Sequence, residues 1–271
     1  MIFTDYHMHT GFSSDSNANM QDMIESAIRQ SLTHICFTEH MDKDFILSGP
    51  EYFTFEVDTD AYYRRFTELK EQYQEKITIC FGIELGLQPH VADFYKTYVK
   101  GYPFDFIIAS SHLCHGLDPY YPSFYQGRSE EEAYLEYFDS ILENLAVFDD
   151  FDTYGHLDYV VRYGPNKNQY YSYDKYKDTL DLILKELIAK DKALEVNTGG
   201  FVHGLGHPNP TEEIITRFSE LGGRYITIGS DAHTPKNICC HFEKLPELLK
   251  SCGISEYTYY IKRQPHQLKL S

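Results

Sequence analysis

The chain has 271 residues, 42% apolar and 24% charged, an ordinary globular composition that excludes a disordered or fibrous protein. Lys and Arg number 24 against 41 Asp and Glu, a net charge of −17. Such a surface repels nucleic-acid phosphates and anionic lipid, so neither is an expected partner. No apolar stretch approaches the ~20 residues of a membrane span, no basic-then-apolar leader precedes Asp5, and the six cysteines form no CxxC pair; the expectation is a reduced, cytoplasmic protein folded as one domain over residues 1–271.

Short apolar runs alternate with helical patterns. The first run is Ile2–His9, followed by Met20, Met23, Ile24, Ala27 and Ile28 at helical spacing. His34–Thr38 is the second; a polar and aromatic loop over 41–57 leads to a helix carrying Tyr62, Phe66, Leu69 and Tyr73. Ile77–Ile83 is the third, with a short helix near 91–100, and Phe104–Ala109 is the fourth. Ser129 and Glu132 read as a capping box. They open a helix with Tyr134, Tyr137, Phe138, Ile141, Leu142 and Leu145 inward. Thr153–Val161 is the fifth run, and after a Tyr/Asn/Pro loop comes a helix with Tyr176, Leu180, Ile183, Leu184 and Leu187. Ala193–Val196 is the sixth. Thr211 is placed to cap a helix with Ile214, Ile215, Phe218 and Leu221, which Gly222-Gly223 stops. Tyr225–Ser230 is the seventh, and a last helix holds Leu245, Leu248 and Leu249. Seven strand–helix units in alternation imply parallel strands joined by crossover helices. An α/β barrel of about seven strands is the simplest closure, an open doubly wound sheet the alternative; both gather functional residues at strand C-termini.

The metal-competent residues fall at those ends: His7 and His9, Glu39-His40, Glu84, His112, His156, Glu195 and Asn197, then Asp231 and His233. Residues two apart in a strand share a face, so His7 with His9, and Asp231 with His233, can each grip one ion. Imidazole with carboxylate suits zinc, manganese or iron, and the absence of thiolate at these positions argues against a structural Cys-type zinc site. Taken singly, each of these residues reads as an ordinary rim or core side chain. Scattered structural histidines, however, have no reason to end successive strands.

These residues sit in Asp5-Tyr6-His7-Met8-His9-Thr10, Phe37-Thr38-Glu39-His40, Gly82-Ile83-Glu84, Ser111-His112, Gly155-His156-Leu157-Asp158 and Ser230-Asp231-Ala232-His233. In these motifs and their order the chain resembles the polymerase and histidinol phosphatase (PHP) phosphoesterases over nearly its whole length, most of all the stand-alone bacterial branch acting on histidinol phosphate. The resemblance implies a distorted (β/α)7 barrel with a metal site at the C-terminal strand ends holding three divalent ions. It assigns His7, His9, Glu84 and Asp231 to one ion. Glu84 bridges to a second, completed by His112 and His156, and Asp15, His40 and His233 hold the third. Asp15 stands where many relatives have His, a harder ligand that favours iron or manganese over zinc.

Such ions facing Asp15, Glu84 and Asp231 would leave a net positive mouth for a phosphate monoester inside an acidic protein. Asp15 or His233 is the expected proton donor to the leaving alcohol. Arg162 is placed for a bidentate grip on phosphate, and Glu195 and Asn197 for the substrate's amine or imidazole; Glu195 as a partner of a metal histidine is the alternative. Tyr120–Tyr125 could stack on imidazole or simply pack as a lid. The reading is hydrolysis of L-histidinol phosphate to L-histidinol and phosphate in histidine biosynthesis. The alternatives are a tyrosine phosphatase or nuclease on the same fold, or a non-catalytic metal-binding domain.

Overall fold

The structure is a computed structural model that describes residues 1–46 and 54–270, so residues 47–53 of the expected 41–57 loop lie outside it. Its strands are β1 (Thr4–Asp5), β2 (His34–Ile46), β3 (Thr54–Glu56), β4 (Thr78–Gly86), β5 (Phe106–Ser110), β6 (Thr153–Tyr154), β7 (Ala193–Asn197), β8 (Ile226–Gly229), β9 (Glu256–Ile261) and β10 (Gln264–Lys269). Its helices are α1 (Met20–Arg29), α2 (Thr59–Tyr73), α3 (Ala92–Tyr98), α4 (Glu130–Val147), α5 (Lys177–Ala189), α6 (Gly199–Val202), α7 (Glu212–Glu220) and α8 (Leu245–Ser251). β1, β2, β4, β5, β6, β7 and β8 pair in that order, all parallel. Tyr6 N donates to the Ile228 carbonyl at 3.0 Å, Asp231 N to that of His7 at 2.8 Å and His9 N to that of Ala232 at 2.9 Å. These bonds join the last strand to the first, so the sheet closes as a seven-stranded barrel rather than lying open.

The helices follow their apolar spacing. In α1 Met20, Met23, Ile24 and Ala27 are buried, and the Asn19 side chain caps the helix by accepting from Gln21 N. The capping box of α4 is formed: Ser129 Oγ accepts from Glu132 N at 3.2 Å, and Ser129 N donates to Glu132 Oε2 at 2.8 Å. Two orphan amides are thereby satisfied at the entry of the longest helix. Thr211 does precede α7, but its hydroxyl makes no capping bond; Gly222, at φ 93°, ends that helix. Tyr62 of α2 is fully buried and its hydroxyl donates to the carbonyls of Phe37 (2.9 Å) and Gly82 (3.1 Å). One phenol thus supplies both apolar area and a polar pin between α2, β2 and β4.

Three stretches differ from the sequence expectation. The 41–57 segment is partly strand: β2 runs on to Ile46 and β3 returns antiparallel on it, Met41 pairing with Glu56 and the rings of Phe45 and Phe55 meeting at 4.7 Å. The run expected over Thr153–Val161 is strand only at Thr153–Tyr154. His156 N donates to Glu195 Oε2 at 2.7 Å instead of to a strand carbonyl; the ladder ends there, and Tyr159–Arg162 forms a 3-10 turn. Last, β9 and β10 form a hairpin that the sequence reading did not anticipate. Its two-residue turn, Lys262-Arg263, has both residues at positive φ but lacks the Asn-Gly signature of such turns. The hairpin packs against the strand N-termini: Tyr6 Oη donates to the Tyr260 carbonyl at 2.9 Å, and Lys262 N to Asp105 Oδ1 at 2.9 Å. It covers the end of the barrel opposite the histidines.

Candidate metal centre

His7 and His9 follow β1, His40 lies on β2, Glu84 near the end of β4, His112 after β5, His156 after β6, and Asp231 and His233 after β8. Barrel closure turns these strand ends into one mouth. His7 and His9, two apart, bring their ring centroids to 5.1 Å. His9 stacks between His40 and His233 at 4.2 and 4.4 Å. Asp15 reaches in from the loop before α1, its Oδ2 at 3.1 Å from His233 Nε2 and 3.5 Å from His40 Nε2.

Glu84, fully buried, is the hub. Its Oε2 is approached by His7 Nε2 (3.1 Å), His40 Nδ1 (3.1 Å) and His9 Nε2 (3.4 Å). Yet none of these four buried atoms has a hydrogen-bond partner. Its Oε1 lies 3.2 Å from His112 Nε2 and 3.0 Å from His156 Nε2, and accepts from Ser110 Oγ at 2.6 Å. Asp231 Oδ1 is 3.6 Å from both His7 and His9. Buried polar atoms are almost always hydrogen-bonded. Four that point at one another without bonding are a donor set arranged around a space between them, and N/O donors of this kind fit a divalent ion. In this mouth the groups whose ligand atoms converge are His7-His9-Glu84, His7-His156-Asp231, His40-Glu84-His112 and His9-His40-His233. Eight of the nine residues singled out as ligands fall in these groups, and Asp15 joins them through His233 and His40. Their proximity sets His40 beside Glu84 and His112 as well as beside Asp15 and His233.

Three of the rings, those of His7, His112 and His9, are held from behind. His7 Nδ1 donates to Glu195 Oε1 at 2.6 Å. His112 Nδ1 donates to Asp42 Oδ2 at 2.7 Å. Ser13 Oγ lies 3.2 Å from His9 Nδ1 and donates to Glu39 Oε2 at 2.6 Å, and Glu39 also takes the Thr10 hydroxyl at 2.7 Å. Such partners fix tautomer and ring plane, leaving the far nitrogen free for an ion. The Arg162 guanidinium is buried and spends its nitrogens on Asn209 Oδ1 (2.8 Å), Asp231 Oδ2 (2.9 Å) and Asn197 Oδ1 (3.0 Å). It steadies Asp231, whose backbone sits at φ 57°, a conformation uncommon outside glycine.

Burial and neighbouring charge oppose each other here. Burial disfavours a charged His112, but Asp42 and Glu84 outweigh it and lift the imidazole to about 10. His7 and His40 are lifted in the same way, by Glu195 and Glu84 and by Asp15 and Glu84 respectively. His9 goes the other way: burial and the neighbouring imidazoles hold it neutral, the form that ligates. Glu84 is held far below the usual carboxylate range: burial opposes this, but His7, His112 and His40 prevail.

Beside this cluster lies a cavity of about 300 Å³, lined among others by Asp15, Asp42, His112, Asp118, Tyr159, Arg162, Tyr163, His203 and His233. Glu195 and Asn197, singled out as substrate contacts, are not on its wall. Glu195 accepts from His7, His156 N and Asn197, and Asn197 accepts from Arg162, so both stand behind the histidines. Nor do Tyr120–Tyr125 line it: Phe124 is buried, and Tyr120 packs on Tyr163 at 5.2 Å. Sequence reasoning passed over Asp42, Asn209 and Asp118. Asp42 carried a signal, standing two residues after His40 in a strand and so on its face. Asn209 carried none, since it comes from a loop between β7 and α7.

A parallel barrel whose C-terminal mouth is ringed by imidazoles and carboxylates defines a metal-dependent hydrolase. The PHP domain pattern matches residues 5–199. The chain belongs to the PHP family. It is similar to the histidinol-phosphatase of Lactococcus lactis subsp. lactis (strain IL1403), 33% identical over 256 residues, 93% of this chain and 92% of that one. The probable histidinol-phosphatase of Thermotoga maritima is 30% identical over 91% of each chain. A crystal structure of histidinol phosphate phosphatase from the same Lactococcus, complexed with zinc, L-histidinol and phosphate, matches at a TM-score of 0.88 and 31% identity, covering 97% of this chain and 98% of that one. No helix of the described residues is long and apolar enough to cross a membrane.

Proposed function

We propose that the protein is a metal-dependent phosphomonoesterase that hydrolyses L-histidinol phosphate to L-histidinol and phosphate. The observation that carries the reading is Glu84, whose buried oxygen and three facing histidine nitrogens lack any hydrogen bond. This site belongs to a chain alike over its length to a histidinol phosphate phosphatase complexed with zinc, L-histidinol and phosphate.

Three divalent ions (zinc, manganese or iron) are proposed. His7, His9, Glu84 and Asp231 would hold one, Glu84, His112 and His156 a second, and Asp15, His40 and His233 the third. When bound, such ions lower the pKa of water and neutralise phosphoryl charge. The chain's own residues do the rest. Glu195, Asp42 and the Ser13–Glu39 pair hold the rings in their ligating tautomers. Arg162 keeps Asp231 in place and adds positive charge at the cavity wall. His233 lies 3.1 Å from Asp15. Against the effect of burial, His40 and His233 hold Asp15 ionised, while Asp15 and Asp231, again against burial, favour the protonated imidazole of His233, so His233 is the one of the two that can pass a proton to the leaving oxygen. A small phosphate monoester is the partner of this cavity.

The test is a substrate panel on metal-loaded protein: histidinol phosphate, a nucleotide, phosphotyrosine and p-nitrophenyl phosphate. A kcat/KM for histidinol phosphate at least about a hundredfold above the rest is expected, because polar groups built for one alcohol are left unsatisfied by others. Preference for DNA ends or phosphotyrosine would refute the substrate. The absence of turnover would refute the enzyme. Elemental analysis near three ions per chain is expected, and one or fewer would refute the trinuclear site.

A further inference from the structure

Four carboxylates line the cavity: Asp15, Asp42, Asp118 and Asp231. Three of them are committed to imidazoles, Asp15 to His233 at 3.1 Å, Asp42 to His112 at 2.7 Å and Asp231 to His7 at 3.6 Å. Asp118 differs. Among the described residues it makes no ion pair and belongs to no convergent ligand group. Its Oδ1 accepts from Tyr120 N at 2.8 Å across Pro119, a tight local turn that fixes the carboxyl on the wall. Burial raises its pKa to about 6, and the nearest charges, His112 and Asp42, act in opposite directions. A half-buried carboxylate whose nearest positive group, His112, is already engaged by Asp42 and Glu84 is costly unless a ligand brings a cation. The same wall carries Tyr159 and Tyr163, ring centroids 5.0 Å apart, and aromatic faces favour cations.

We infer that Asp118 receives the cationic group of the substrate's alcohol, so that the site selects phosphate monoesters whose alcohol carries an ammonium or imidazolium close to the ester. The inference rests on the phosphomonoesterase reading above and names a specificity residue for it. The division of labour is simple. The metal cluster supplies affinity for any phosphoryl group and cannot tell one alcohol from another. The tyrosines accept any flat or apolar group. Only Asp118 pairs with positive charge on the far side of the leaving oxygen. Its effect is therefore expected in KM more than in kcat, since the ammonium is held alike in ground and transition states.

The experiment compares wild type with Asp118→Asn, which keeps the acceptor for Tyr120 N and removes the charge. The substrates are histidinol phosphate, p-nitrophenyl phosphate, and the matched pair O-phosphoethanolamine and ethylene glycol phosphate, which differ in an ammonium against a hydroxyl. The variant is expected to lose about 10- to 100-fold in kcat/KM for histidinol phosphate, mostly through KM, the size of a hydrogen bond to a charged group. p-Nitrophenyl phosphate should change by less than about twofold. Wild type should prefer the amine of the matched pair, and the variant should lose that preference. If wild type ignores histidinol phosphate, the substrate reading fails, while the matched pair still decides the role of Asp118. Equal losses on all four substrates, or an unchanged ratio within the pair, would overturn the inference. Metal content and circular dichroism equal to wild type are required for either conclusion, and Asp118→Ser serves in the same comparison should the Asn variant fail to fold.

Discussion

Replacing Glu195 by Gln tests the support behind His7. Glu195 accepts from three donors: His7 Nδ1 at 2.6 Å, His156 N at 2.7 Å and Asn197 Nδ2 at 3.1 Å. A glutamine offers one oxygen and one NH2. With the NH2 at the Oε2 position it would face two donors, the His156 amide and Asn197. With the NH2 toward His7 it faces one, and His7 relieves the clash by moving its proton from Nδ1 to Nε2. The second arrangement is the cheaper, and it places a hydrogen on the nitrogen that faces Glu84 and the ion. Loss of such an outer partner costs about 10- to 100-fold in metal affinity, equivalent to about 1.4–2.7 kcal/mol. Competition with a chelating dye in metal-buffered solution measures it directly. At saturating metal, kcat/KM should fall by the same factor for histidinol phosphate and p-nitrophenyl phosphate, because Glu195 touches neither. Wild-type metal affinity in the variant would refute the tautomer argument. A loss confined to histidinol phosphate would make Glu195 a contact of the amine, the role its place at a strand end had first suggested.

Arg162→Ala removes the partner of Asp231, Asn197 and Asn209 in a buried site. The expected cost is about 3–5 kcal/mol in urea unfolding, with both esters slowed alike; a loss under about 1 kcal/mol would show that the guanidinium supports nothing. At Gly229 an added Cβ would lie 2.3 Å from His7 Cβ and 2.5 Å from Glu195 Oε1. Gly229→Ala should therefore displace His7 and abolish turnover while the far-ultraviolet spectrum persists, and an active variant would count against the placement of His7. Asp181 bonds the Arg217 guanidinium at 2.9 and 2.7 Å, and that contact holds its carboxyl well below the usual range. A depressed carboxylate gives stability that is present above the unfolded value of 3.8 and is lost as pH falls below it. The difference in urea midpoint between wild type and Asp181→Asn should thus shrink on going from neutral pH to about pH 3, and a constant difference would refute it.

The barrel was legible because its apolar runs and helical rows repeat with little exception. Met20, Met23, Ile24 and Ala27 are buried where their spacing put them, and the Ser129–Glu132 box closed as written. The ligand positions were legible for the same reason, since strand ends in a barrel converge whatever the loops do. What escaped depends on long-range contact. The hairpin β9–β10 turns on Lys262-Arg263, whose left-handed backbone no residue preference announces. The early end of β6 is imposed by Glu195, a side chain 39 residues downstream of His156. Arg162, read from the sequence as a bidentate grip on phosphate, is instead buried and bonded to the chain itself, because Asn197, Asn209 and Asp231 come together from three separate segments.

The ring of ligands has a temporal side. His7 and His9 come from the start of the chain, Asp231 and His233 from some 224 residues later by their numbering, and the two sets meet where backbone bonds close the barrel. The opposite end repeats the arrangement, with Tyr6 bonded to Tyr260 across a sequence separation of 254. During synthesis, then, the first strand waits with its histidines uncommitted until almost the last helix has emerged. Contacts of such high sequence separation form late. A nascent chain can offer no more than fragments of the donor set, so capture of metal marks the finished barrel and cannot template the early steps of its folding.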